Sequence, residues 1–304
     1  MAVGTTTTTA NALKQYWADM FIENFYAASS MKGLTKKVKV PKGNGKVVWF
    51  VGVSKVNPVG ASASEGADPT ARSSAATRIS ATIAQYNNLI KNSNLFMDTA
   101  IDGVKEQIIK DLGKDAAKTW DDAVLATALG GTNKVFAGAA THRSNIVSAS
   151  SAVIRDVRKA VRLLELSSTP RFADGFYVGL VHPDVAFDIQ SDTAWQDIVR
   201  YRDTVKYDIP NEIGRIWGVR FALAPTIPVL TNSGSAAVDV YRTLVFGPDF
   251  MGEAELHNLN IVINEPGKGT ELGMFNAYGY TFSAANVRLH EAAGVRIESS
   301  ASLE

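Results

Sequence analysis

Apolar residues between Leu13 and Ala28 recur at steps of three and four: Leu13, Tyr16, Trp17, Met20, Phe21 and Phe25. That spacing predicts an amphipathic helix. Its aromatic load is too heavy for a free arm and predicts docking, on the chain's own body or on a neighbour. From Gly33 to Val56 the period becomes two. Val38 and Val40 alternate with lysines, Gly43-Asn44-Gly45 supplies a turn, and Val47, Trp49, Val51 and Val53 alternate again. This is strand patterning around a hairpin-type turn. Asn57 to Thr77 is rich in Ala, Ser and Gly and cannot form a core, so it is expected to be an extended tip. Strand patterning resumes through Ile79, Ala81, Ile83 and Gln85. Two strands flanking such a segment predict a long protruding hairpin.

Thr99 to Leu129 is the longest periodic stretch. Ile101, Val104, Ile108, Leu112, Trp120, Val124 and Ala128 trace one face, and Gly130-Gly131 ends it. About thirty residues at ~1.5 Å each predict a helix of roughly 45 Å. Thr132 to Ser150 reads as a polar crossover. Helices and strands then alternate. Val153–Leu166 is a helix and Phe176–Val181 a buried-type strand. His182-Pro183-Asp184 opens a short helix, and Thr193–Arg202 is helical. Trp217–Leu223, Val240–Phe246, Leu259–Ile263, Tyr278–Leu289 and Val295–Ile297 read as strands. The class is α+β, without an internal repeat.

Composition narrows the function. The 304 residues are 46% hydrophobic and 20% charged, enough for one large or two smaller domains. The net charge of +1 lacks the basic excess of a protein built to grip DNA phosphates. There are no cysteines, so disulfides, thiolate zinc sites and cysteine nucleophiles are excluded. The threonine-rich start, Met1 to Asn11, has no signal-peptide pattern and its first residues are expected to form a mobile arm. No apolar stretch is long enough to span a membrane. A soluble protein made in the cytoplasm is expected.

Motifs that could carry chemistry fail on spacing. Lys42-Gly43-Asn44-Gly45-Lys46 is followed by Val47 and a strand, not by the Ser/Thr and helix of a phosphate loop. His142, His182, His257 and His290 do not stand in metal-ligand spacing. Asp121-Asp122 lie about 100° apart on a helix and are expected on a solvated face. Asp184, Asp188, Asp192 and Asp197 lack the order of a cation loop and are expected as helix caps and intersubunit ion pairs. Lys36, Lys37, Lys39, Lys42 and Lys46 form a local basic cluster, expected as a solvated strand face or as partners for acids of an adjacent subunit.

Five segments, in order across almost the whole chain, carry a resemblance. They are Lys42-Gly43-Asn44-Gly45-Lys46-Val47-Val48; Ala81-Thr82-Ile83-Ala84-Gln85-Tyr86; Val181-His182-Pro183-Asp184 with Asp192-Thr193-Ala194-Trp195-Gln196-Asp197; Gly214-Arg215-Ile216-Trp217-Gly218-Val219-Arg220-Phe221; and Leu244-Val245-Phe246-Gly247 with Pro248-Asp249-Phe250. Together they resemble the major capsid proteins of the coliphage N-four lineage, which share the Hong Kong-97-type fold. The resemblance implies an N-terminal arm and helix (1–32), an E-loop β-hairpin (33–90), and a peripheral domain with a spine helix (91–150). It further implies an axial domain (151–254) and return strands of the peripheral domain (255–304). It implies a virion shell of pentamers and hexamers assembled in the host cytoplasm around double-stranded DNA, with portal and scaffolding or decoration proteins as partners and no membrane. No catalytic, cofactor or metal residue is expected. Trp17, Phe21, Phe25, Lys36, Lys37, Lys39, Trp49, Trp195 and Arg215 are the candidate intersubunit contacts. Two rival readings are the shell of an encapsulin-like cellular nanocompartment, which would bind cargo peptides, and a hydrolase with an unrecognised site.

Overall fold

The computed structural model describes residues 16–26, 29–31, 33–41, 43, 45–53, 76–99, 103–200, 211–264 and 274–303. In chain order these form α1 (residues 16–26), β1 (Lys36–Lys39), β2 (Val47–Val53), β3 (Ala76–Thr82), β4 (Ala84–Ser93), α2 (Asn94–Thr99) and α3 (Val104–Ala128). There follow β5 (Lys134–Phe136), α4 (Ile154–Leu166), β6 (Tyr177–Val181), α5 (Pro183–Ser191), α6 (Thr193–Arg200), β7 (Glu212–Ile216), β8 (Val219–Leu223), β9 (Tyr241–Phe246), β10 (Met251–Asn264), β11 (Phe275–Arg288) and β12 (Gly294–Ser299).

The strands make a four-stranded sheet in the order β1-β10-β11-β4, a six-stranded sheet in the order β5-β12-β9-β6-β8-β7, and the separate β2–β3 pair. The six-stranded sheet is covered on both faces. Val178, Leu180, Leu244 and Phe246 face one core, shared with α1, α3 and the four-stranded sheet. Tyr177, Val181, Phe221, Val245, Val295 and Ile297 face a second core under α4 and α5. This is why Tyr177–Val181 is a continuous apolar run rather than an alternating one: all five residues are buried.

The strand at Lys36–Lys39 exists, but its partner corrects the sequence reading. β1 runs parallel to β10, with Lys36 opposite Gly252, and does not form a hairpin with β2. The Gly43–Gly45 turn, with Gly43 at φ 95° and Gly45 at φ 82°, instead carries the chain from one sheet to another. The hairpin is β2–β3, paired from Val47 opposite Thr82 to Val53 opposite Ala76. The intervening tip lies outside the described residues. β4 leaves the hairpin and joins the four-stranded sheet beside β11.

The long helix is also shorter than its pattern. α3 has 25 residues, about 37 Å at ~1.5 Å each, and begins after Gly103. At φ 95° this glycine is left-handed, so it separates α3 from the short α2. The face of α3 toward the four-stranded sheet is aromatic and hydrogen-bonded. Trp120 lies 5.1 Å from Phe282, and the Tyr280 hydroxyl donates to Asp115 at 2.7 Å. The last carbonyls of α3 meet arginines from distant strands. Arg288 donates to the Thr127 carbonyl at 2.6 Å, and Arg296 donates to that of Leu129. Both charges suit a helix C-terminus. Asp192 does the reverse, accepting from the Ile154 N–H at 3.2 Å at the start of α4 and from Ala194 at 3.0 Å at the start of α6. The helix-cap expectation for this aspartate is met.

Candidate assembly surface

An exposed apolar stripe on β2 is set by strand alternation. Val48 and Phe50 turn inward and pack with Ile79, Ala81, Ala254 and Val287 in a small third core. Val47, Trp49 and Val51 point the other way and are exposed, Trp49 by 61%. Three large apolar side chains in a row on a two-stranded arm form a patch that no described residue of this chain covers. A second apolar patch lies where β4 ends and β11 begins. Leu95 and Phe96 of α2 are exposed there, as are Met274 and Phe275, and the Asn94 N–H donates to the Met274 carbonyl at 2.9 Å. The sequence reading missed this patch, although the adjacent Leu95-Phe96 pair in so short an element was its signal.

Lys36, Lys37 and Lys39 are exposed on β1, at the edge of the four-stranded sheet. Edge lysines discourage open-ended strand addition, because a second strand would have to desolvate them. Lys36 is 3.9 Å from Asp249, an exposed pair of small energetic weight.

The five other candidate contacts pack within the subunit. Phe21 and Phe25 are 1% and 2% exposed and belong to the chain's own core, Phe25 edge-on to Trp120 at 6.4 Å. Trp17 packs partly against the same core, with Lys105 over its ring at 5.2 Å. The aromatic stripe of α1 therefore docks on α3 of its own subunit, and the outer face of α1 exposes Tyr16, Ile22 and Tyr26 instead. Trp195 is 6% exposed, seated over Gly214 and beside Phe221 at 6.0 Å. Arg215 is bonded to Glu212 at 2.6 Å and lies over Phe176. Spacing in sequence shows that these residues share a stripe, but not whose surface the stripe meets.

The Asp121-Asp122 pair is split rather than jointly solvated. Asp122 is exposed, but Asp121 is buried under the segment that follows α1. Its carboxylate accepts the Ser29 hydroxyl at 2.7 Å, the Ser30 N–H at 2.7 Å, the Ser30 hydroxyl at 2.8 Å and the Met31 N–H at 3.3 Å. Burial pushes the carboxyl up from its ordinary value, and these donors partly offset that. The arrangement fastens the root of the N-terminal helix to α3. The partners lie some ninety residues apart, so no local motif could announce it.

A second buried charge sits in β12. Glu298 accepts two hydrogen bonds from Arg143, both 2.7 Å, and lies 2.8 Å from Arg296. Burial raises its carboxyl, but the hydrogen bond and charge of Arg143, with Arg296 and Lys134, outweigh it and hold the group below its ordinary value. Among the described residues no group of three or more His, Asp or Glu is placed to hold a metal ion. His182 caps α5, its Nδ1 accepting from the Asp184 N–H at 3.4 Å.

Solved structures share this architecture. The capsid of cyanophage Pam1 is 12% identical at a TM-score of 0.69, covering 92% of this chain and 93% of that one. The capsid of Ralstonia phage GP4 is 14% identical at 0.68, covering 88% and 87%. A virus-like particle from Pyrococcus furiosus is 9% identical at 0.56, covering 94% and 99%. At such identities the likeness establishes the fold, which is the Hong Kong-97-type capsid fold. No curated protein sequence matches the chain. The family model described as phage capsid protein matches residues 76–244, from the returning hairpin strand through α3 and most of the six-stranded sheet. With more than half of its length under that model, the chain belongs to the phage capsid protein family.

Proposed function

We propose that the chain is the major capsid subunit of a phage related to the coliphage N-four lineage. It forms pentamers and hexamers that close into an icosahedral shell around double-stranded DNA. The observation that carries this reading is the β2–β3 hairpin, whose outer stripe of Val47, Trp49 and Val51 is exposed and covered by none of the described residues. An arm of this kind gains stability by lying on a neighbour, and many modest contacts of that sort hold a shell without any single strong one. Residues 1–32 serve as the N-terminal arm and helix, 33–90 as the E-loop region, 91–150 and 255–304 as the peripheral domain, and 151–254 as the axial domain. Assembly takes place in the host cytoplasm, with a portal and with scaffolding or decoration proteins as partners. The role is structural rather than catalytic. A nanocompartment shell would use the same fold, and no separate feature of this chain favours it.

Electron microscopy of the purified protein tests the reading. Closed particles of uniform size are expected. A protein that stays monomeric or dimeric under every assembly condition would overturn it.

A further inference from the structure

Away from the hairpin, a depression of about 620 Å³ lies between α4, the segment leading into β6, and the β7–β8 turn. Arg155, Arg158 and Arg162 line it from one face of α4, at three- and four-residue steps. Arg171 lies across from them, tied to Glu165 at 2.8 Å. Lys159 is neutralised by buried Asp156 at 2.6 Å. Among the described residues, no carboxylate pairs with Arg155, Arg158 or Arg162.

The far wall is Trp217, which is 49% exposed although apolar. It occupies the first position of a two-residue turn at φ 49°, followed by Gly218 at φ 79°. A left-handed backbone is strained for a bulky aromatic residue. The turn carries the indole over α4, where the Arg158 guanidinium stacks on it at 4.5 Å. An oriented guanidinium on an exposed ring, with two further uncompensated arginines beside it, is a receptor for an anionic group with an apolar neighbour.

The same chain carries the complement. The whole chain is only +1, so the basic wall is balanced by acid elsewhere. Residues 183–197 hold Asp184, Asp188, Asp192 and Asp197 and no lysine or arginine. Phe187 of α5 is half exposed between the first two of these aspartates. Asp188 accepts from the neutral Ser302, so its charge is not cancelled there. We propose that the depression receives the acidic α5–α6 segment of a second copy, with Phe187 against Trp217 and Asp184 and Asp188 toward the α4 arginines. Joining two different faces of one chain head to tail generates a ring where the rotation between copies closes, which is the geometry a capsomer needs. A DNA duplex presents its phosphates on a convex surface and would meet the rim arginines without covering the indole. The proposal rests on the assembly reading above.

Two measurements test it. In the first, Trp217 is replaced by the photo-crosslinking residue p-benzoylphenylalanine and assembled shells are irradiated. The expected product is a covalent dimer on a denaturing gel, with the crosslinked peptide inside 183–197. Absence of a dimer, or a crosslink to another segment, overturns the proposal. In the second, the exposed pair Arg158→Glu/Arg162→Glu is expected to melt like wild type and to lose shell formation. Should that pair fail to fold, Arg158→Gln/Arg162→Gln replaces it. Normal shells from a folded variant overturn the proposal. Normal shells with lost binding of a duplex oligonucleotide assign the groove to nucleic acid and overturn it too. Wild-type protein that makes no particles overturns the proposed function itself, whereas normal wild-type shells beside a negative crosslink overturn the groove alone.

Discussion

Asp121 accepts hydrogen bonds from Ser29, Ser30 and Met31 in a buried site, and removing it strands those donors. Asp121→Ala is expected to cost about 1–3 kcal/mol in chemical denaturation of the subunit, because unpaired buried donors lose water without replacement. Acid should act through a different residue. The Asp121 carboxyl is raised, so its contribution is greatest at low pH and fades as pH rises through its folded value. Glu298 is held below its ordinary value of 4.5, so its contribution is present above that pH and lost as pH falls through the lower folded value. Glu298→Gln is therefore expected to be less stable at neutral pH, by about 3–5 kcal/mol for a broken buried ion pair. It should also lose less further stability than wild type on acidification below pH 4.5. Urea titrations across that range would show an unchanged acid slope if Glu298 were not the group responsible.

At the scale of elements, α1 and α3 touch backbone to side. A Cβ on Gly113 would stand 2.8 Å from the Phe21 carbonyl oxygen. Helix propensity alone says Gly113→Ala should stabilise α3 by about 1 kcal/mol. The crossing predicts the opposite sign, a lower melting temperature, because α1 would have to move away. Phe25→Ala is expected to cost about 3–5 kcal/mol in the isolated subunit, as a large core truncation does. A melt unchanged by Phe25→Ala would return α1 to the role of a neighbour-docking arm. Trp49→Ala should behave in the opposite way. Its side chain is exposed, so the subunit's stability should stay within about 0.5 kcal/mol, while the yield of particles by sedimentation falls.

At the scale of the whole molecule, the absence of cysteines leaves packing, chain interlocking or a crosslink other than a disulfide to stabilise an assembled form. Boiled shells are expected to run as one band near 32.6 kDa on denaturing gels. A ladder of covalent multimers would show a crosslink of another chemistry between subunits.

Period-two and three-to-four patterns are local, so the amino-acid sequence by itself determined most of the strands and helices, the hairpin stems at Val47 and Ile79, and the cap at His182. It also excluded cysteine chemistry, because a residue type that is missing cannot supply a site whatever the fold. Pairing and burial are not local. Only the tertiary structure decided that Lys36–Lys39 lies parallel to β10 rather than against β2, because strand alternation states a face and never a partner. Only it decided that Phe21, Phe25 and Trp195 belong to the subunit's own core while Trp49 and Trp217 are left in solvent. An aromatic side chain is equally apolar in either place, and what distinguishes them is whether another part of the same chain arrives to cover it.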